Sequence, residues 1–231
     1  MSIGNRFLEA LPPREFGLVS PHLRKTVLSK NAVLSKDGQR VERLYFPISG
    51  LISCMACTSA GQRMEIYSGG HNDVLNVPGM LNENAWLQAK VQFPGVAFTL
   101  AADEFFRLIE VTRVLPHLLF RYLQILFERF ARTAVCARFH QTEQRVSLWL
   151  ALAAENIKGS ELECTHESIA EAVGARRATV STTLSALEQK EVIYRRRGSL
   201  TILSMEYLES LTCDCLHAIR AGYRASGMAM R

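Results

Sequence analysis

Five arginines carry the clearest chemistry in this chain. Arg176 and Arg177 precede a short amphipathic segment, and Arg195, Arg196 and Arg197 follow it, all within THESIAEAVGARRATVSTTLSALEQKEVIYRRRG at residues 165–198. A guanidinium is a permanently charged planar fork that pairs bidentately with phosphate or with the edge of guanine. The other reactive residue types are less organised. No P-loop, G-x-S-x-G or H-E-x-x-H occurs, nor any zinc-site spacing, so no enzyme is expected. The six cysteines stand at 54, 57, 136, 164, 213 and 215. Cys54 and Cys57 would face opposite sides of a strand, and Cys213-Asp214-Cys215 has no second pair near it in sequence. All six read as reduced, buried, small hydrophobes. His71, beside Asn72 and Asp73, and His140, near Glu143, match no zinc or haem spacing, so no metal ligand is assigned.

The arginines need elements to position them. Thr165 is a helix cap with Glu167 in the first turn. Ile169, Ala170 and Val173 form an apolar face, and Gly174 ends the helix. A second helix opens near Arg176, with Val180, Leu184 and Leu187 turned inward. Ala170, small and four positions before the turn glycine, allows two helices to cross closely, which is the spacing of a helix-turn-helix. The outward face then carries Arg177, Ala178, Ser181 and Thr182, with Arg176 and Thr179 at the helix start, where free N–H groups attract phosphate. EVIYRRRGSLTIL reads as two strands joined at Arg197–Gly198–Ser199, a wing with a basic tip. Thr165, Arg176, Arg177, Ala178, Thr179, Ser181, Thr182, Arg195, Arg196 and Arg197 are therefore the expected DNA-facing residues. The plain alternative is a packing motif with solvated arginines.

Net charge alone does not make this segment a DNA binder. The formal charge is +5, but from Glu143 onward basic and acidic residues balance at eleven each. The excess lies in the first 142 residues, sixteen basic against eleven acidic. The placement of the arginines, not their number, carries the reading.

Upstream, residues 5–30 read as short helices punctuated by Pro12, Pro13 and Pro21. From about 31 to 101, short apolar runs alternate with turn signals such as SKDGQ, SAGQ and FPG, the pattern of an antiparallel sandwich or barrel. Residues 44–62 carry no charge, yet Pro47, Gly50 and Gly61 mark strands and turns, so no membrane span is expected. The N-terminal MSIGNRFLEALPPREF shows neither a secretory signal nor an anchor. Together these suggest a cytoplasmic chain. After a short helix at 102–110, a long helical pattern runs from about 115 to 138. Its stripe of Leu119, Tyr122, Leu123, Leu126, Phe127 and Phe130 needs a partner. Either this is an internal core helix, or one side covers the β domain while the other meets a second copy.

With these parts in order, the chain resembles a transcription regulator of the Crp/Fnr superfamily. GARRATVSTTLSALEQKEVIYRRRGSLTIL is similar to that family's recognition helix and wing, and RLYFPISGLIS and QRMEIYSGG look like its sensor strands. The resemblance covers about residues 5–215. It implies an α+β chain: an antiparallel, jelly-roll-like β-roll sensor domain at 1–112, a dimerisation helix at 113–140 and a winged helix-turn-helix domain at 141–231. It also implies a bacterial homodimer that binds roughly palindromic double-stranded DNA, with RNA polymerase as a further partner. The six stripe residues would then form the dimer seam. Relatives place Glu and Arg on the reading helix where this chain has Ala178 and Thr182, so a different operator is expected.

The signal is not legible. Relatives that bind cyclic AMP use a Gly-Glu pair followed by Arg-Ser or Arg-Thr. The corresponding NVPGMLNENAWLQAKVQFPG has neither, and no arginine occurs between Arg63 and Arg107. Lys90 is the lone Lys or Arg there and is a poor replacement for a bidentate fork. Cyclic AMP is not expected, no cofactor is assigned, and haem or another small-molecule effector stays open. Trp86, Phe93 and Phe98 read as core residues or as the wall of an apolar pocket. A second functional class is a module that acts through protein contacts, with unselective DNA binding.

Overall fold

The computed structural model describes residues 3–81 and 83–227; the outermost residues of the two end domains expected above, 1–2 and 228–231, lie outside it. Two short helices come first, α1 (Arg6–Glu9) and α2 (Pro13–Val19). The strands β1 (Arg24–Leu28), β2 (Val33–Ser35), β3 (Arg43–Cys57) and β4 (Arg63–Gly69) follow, then α3 (Val77–Met80) and β5 (Gln88–Ala101). They form one antiparallel sheet in the order β1-β5-β3-β4, with β2 also on β5.

Two strands are much longer than the apolar runs suggested. VERLYFPI and GLISCMACTS lie largely on the single strand β3, and KVQFPGVAFTL belongs to β5. Proline and glycine act here as bulge residues inside paired strands rather than as breakers. Pro47 lies opposite Ala97, and the register shifts on both sides of Ser49. Gly50 has φ +85°, and a Cβ there would lie 2.7 Å from the Phe93 carbonyl oxygen, so the crossing of these strands requires glycine.

The helices α4 (Ala102–Val111) and α5 (Val114–Phe139) close the first layer. The Glu15 carboxylate accepts hydrogen bonds from the Arg113, Val114 and Leu115 amides (2.9, 2.9 and 3.1 Å), capping the start of α5 from a distant helix. Leu115, Leu118, Leu119, Tyr122, Ile125 and Leu126 are buried in one core with Phe7, Phe46 and Leu75. This revises the expected seam. Leu119, Tyr122 and Leu126 face the chain's own β-roll, and the Tyr122 hydroxyl donates to the Val74 carbonyl at 2.9 Å. Leu123 and Phe130 are half-buried and Phe127 is 69% exposed. Phe120, absent from the expected stripe, is 68% exposed on the same outer side.

The second half is α6 (Thr142–Ile157), β6 (Glu161–Leu162), α7 (His166–Val173), α8 (Arg177–Gln189), β7 (Ile193–Arg196), β8 (Ser199–Ile202), α9 (Met205–Ser210) and α10 (Cys215–Ala225). A three-stranded sheet runs β6-β8-β7. Its core gathers Val180, Leu184, Leu187, Ile193 and Leu200 with α6, and extends to Leu51 and Phe93 of the first sheet. Trp149 of α6 meets Phe93 with ring centroids 6.3 Å apart. No helix among the described residues is long and apolar enough to cross a membrane.

Candidate nucleic-acid interface

The helix-turn-helix forms for local reasons. The Thr165 hydroxyl accepts from the Ser168 amide at 3.1 Å while the Ser168 hydroxyl accepts from the Thr165 amide at 3.0 Å, a reciprocal cap. Thr165 is thus exposed but occupied in starting α7. Gly174 stops that helix at φ +64°, and its amide donates to the Ala170 carbonyl. A Cβ at Gly174 would also come within 2.8 Å of the Met64 sulfur, because the turn rests on β4 of the first sheet.

The outer face of α8 has few partners. Arg176, Arg177, Ala178, Thr179 and Thr182 are exposed and Ser181 is half-buried. No side chain caps the N-terminus of this helix, so its first amides face outward without a side-chain acceptor. Arg177 reaches Glu167 only at 3.9 Å, with both side chains mostly exposed, a contact that solvent screens heavily. The Thr182 hydroxyl donates to the Ala178 carbonyl at 3.2 Å, which ties down the hydroxyl's proton.

The wing splits its three arginines. Arg195 Nε and Nη2 donate to Glu188 Oε2 at 2.9 and 2.5 Å, and the Arg195 amide donates to Glu188 Oε1 at 3.0 Å. That side chain braces the wing against the end of α8 and holds the Glu188 carboxyl below the usual carboxylate range; it is not a free phosphate contact. Arg196 lies over the Tyr194 ring at 5.5 Å, and Arg197 is exposed beside Gly198, whose φ of +82° makes the turn. A groove between the start of α7 and the wing is lined by Thr165, His166, Glu167, Arg177, Arg195, Arg196 and Arg197. Burial, then Arg195 and Arg177, lower the His166 pKa and favour the neutral imidazole.

The helix-turn-helix is also tied to α6 and to the turn that follows β1. Arg145 Nη1 donates to the Val173 carbonyl at 2.9 Å, and Lys30 pairs with Glu163 at 2.9 Å. A second internal tie was invisible in sequence. Arg129, buried on α5, donates to the Ser68 carbonyl at 2.8 Å and the Tyr223 hydroxyl at 2.6 Å, and lies 3.3 Å from Asp73 Oδ1. The Tyr223 hydroxyl also bonds Asp73, so α10 is bound to α5 and to the loop after β4 at one point.

The effector reading separates as well. Phe93 is in the second core, Phe98 is half-buried on the sheet, and Trp86 is 46% exposed with its ring perpendicular to that of Phe130 (centroids 5.6 Å apart). They do not line a common pocket. A slot between the sheet and α3 is lined, among the described residues, by Cys54, Tyr67, Asn76, Gly79, Ala85, Trp86, Leu87 and Ala89, none of them a cation or a carboxylate. A cyclic phosphate needs an arginine and its ribose a carboxylate, so this set does not fit a cyclic nucleotide. Two readings of the cysteines change: Cys57 is exposed, and Cys213 and Cys215 are not isolated, since Cys136 and His140 lie beside them.

The Crp-like helix-turn-helix domain family matches residues 144–211. The cAMP-activated global transcriptional regulator CRP of Pasteurella multocida is 26% identical over 193 residues, covering 79% of this chain and 90% of that protein. The global nitrogen regulator of a Nostoc species is 25% identical over 187 residues, 75% of this chain and 82% of the relative. Among solved structures, FixK2 from Bradyrhizobium japonicum superposes with a TM-score of 0.71 at 13% identity, covering 83% of this chain and 98% of that one. The c-di-GMP responsive regulator CLP of Xanthomonas campestris gives 0.68 at 14% identity, with 84% and 100% covered. Residues 144–211 thus carry a Crp-like helix-turn-helix domain, and most of the chain is similar to transcription regulators of the Crp type.

Proposed function

We propose that this chain is a homodimeric, sequence-specific DNA-binding transcription regulator that reads a roughly palindromic site with α8 and answers a signal other than cyclic AMP. The observation that carries the reading is the outer face of α8: exposed, almost without internal partners, and flanked by Arg176 at its start and Arg196 and Arg197 on the wing. Arg177 takes a base edge, a contact worth about 1–3 kcal/mol of discrimination. Ala178 offers shape or a contact with a thymine methyl. Arg176, Thr179, Arg196 and Arg197 hold phosphates, and Thr165 and Arg195 keep the groove in shape.

The dimer seam is the outer face of α5. Phe120, Leu123, Phe127, Phe130 and Ala134 are spaced three, four, three and four residues apart, the pattern of a coiled-coil seam. Each is exposed or half-buried in the single chain. A two-fold seam supports two reading helices about 34 Å apart, one turn of DNA. The division at 1–112, 113–140 and 141–231 then assigns sensor, coupling helix and reader.

The experiment is a gel shift of the full chain against a random duplex pool, with the bound fraction sequenced and the native mass measured. The expected outcome is a selected pair of inverted half-sites bound by a dimer. Salt-sensitive binding with no selected sequence would leave only a module acting through protein contacts.

A further inference from the structure

Cys136 lies in the last turn of α5, and His140 is the residue that caps it. Their spacing of four puts both on one face of the helix end. Cys213 and Cys215 flank Asp214, which caps the start of α10. These two pairs, more than seventy positions apart, place three sulfurs and one imidazole nitrogen within 4.8 Å of one another.

The distances fit a small tetrahedral ion. Zinc holds thiolate sulfur at about 2.3 Å and imidazole nitrogen at about 2.0 Å, which sets neighbouring sulfurs about 3.8 Å apart and sulfur and nitrogen about 3.5 Å apart. Cys136 Sγ lies 3.7 Å from Cys213 Sγ, and Cys215 Sγ lies 3.7 Å from His140 Nδ1. The other imidazole nitrogen, Nε2, faces Asp214 Oδ1 at 3.4 Å. A carboxylate there fixes the tautomer that leaves Nδ1 as the ligand atom. All three sulfurs belong to buried residues, and Leu148, Leu152 and Leu216 share their apolar cluster.

We propose that Cys136, His140, Cys213 and Cys215 form a Cys3His zinc site that clamps the C-terminal helix to the junction between α5 and α6. Soft thiolates with one imidazole in tetrahedral array select zinc, and four protein ligands leave no open position, which makes the site structural. On binding, the three S–H bonds break and their protons pass to solvent, the ion sheds its bound waters as four metal–ligand bonds form, and no electron is transferred. His140 sits between the helix that rests on the sensor and the helix that opens the reader, so the ion holds the joint between them. This goes beyond the proposed DNA reading and does not depend on it.

The test measures metal content by mass spectrometry in the full chain purified without chelator, followed by cobalt(II) titration of the metal-stripped protein. One zinc per chain and an intense thiolate-to-cobalt charge-transfer band are expected in the wild type and in Cys57→Ser. Cys213→Ser should lose the zinc and the band. Asp214→Asn, which keeps all four ligands, should retain the band with cobalt affinity about 10–100-fold weaker. Should Cys213→Ser fail to fold, the wild-type spectrum and Asp214→Asn still decide. The proposal is overturned by a wild type without zinc and with a weak, aqueous-type cobalt spectrum. Bound iron with sulfide, a Cys136–Cys213 disulfide in fresh protein, or unchanged zinc in Cys213→Ser would overturn it too.

Discussion

Arg129 and Arg177 are the same residue in opposite settings. Arg129 is buried, its fork divided among Asp73, the Tyr223 hydroxyl and the Ser68 carbonyl, with Tyr67 stacked 5.2 Å away. Arg177 stands in water on α8 with one loose contact at 3.9 Å. A buried guanidinium that has satisfied its donors inside the chain has nothing to offer a ligand. An exposed one exchanges water for phosphate or base at small internal cost. The fold, not the residue type, therefore separates arginines that hold the molecule together from those free to bind. Arg195 falls between, drawn into the structure by Glu188.

The comparison breaks most visibly at Arg129. Arg129→Met should destabilise the chain by about 3–5 kcal/mol, since it leaves Asp73 buried without its cation; urea unfolding monitored by circular dichroism checks this. Phe127→Glu places a charge on the exposed side of α5, away from the core. It should leave unfolding almost unchanged, give monomers in sedimentation, and weaken DNA binding by about 10²–10⁴-fold through lost bivalency. The same change at Leu126 should instead unfold the protein, because Leu126 lies in the core beneath the first sheet.

Arg177→Ala should leave stability alone, cost about 1–3 kcal/mol on the selected site and relax base choice at one position per half-site, read by competition binding. Glu65 gives the acidic counterpart of Arg129. Its hydroxyl donor is Ser53, and burial pushes its carboxyl up to about 7. Between pH 4.5, its ordinary value, and about 7, the unfolded chain ionises while the folded chain keeps the proton, so stability falls as pH rises. Glu65→Gln should remove that fall, matching the wild type near pH 4 and exceeding it by on the order of 1–3 kcal/mol at pH 8 in thermal unfolding. Arg196→Ala should have the smallest effect: affinity lowered about equally on all sequences, and the slope of log affinity against log salt reduced by about 1.

The reader was legible because its determinants are local. The Thr165 cap, the Gly174 turn and the inward Val180, Leu184 and Leu187 lie within twenty-three residues. The long strands were less so. Pro47, Gly50 and Gly95 look like breakers until β3 and β5 lie side by side and the bulges accommodate them. On α5, apolar residues occupy two faces, and periodicity cannot say which one meets the roll, so Leu119, Tyr122 and Leu126 were grouped with Phe127. Arg195 looked identical to Arg196 because its partner, Glu188, is recognisable only once the wing folds back on α8. The Asp73–Arg129–Tyr223 tie and the cysteine cluster join segments far apart in sequence, and no local spacing announces them.

The most direct test of the central claim is photocrosslinking from the outer face of α8. p-Benzoylphenylalanine placed at Ala178, or as a control at the exposed Val27 of β1, would be irradiated with the full chain bound to its selected duplex. The account predicts crosslinks from position 178 to bases inside each half-site and none from position 27. DNA binding that persists with no crosslink from 178, or with equal crosslinking from both positions, would contradict it.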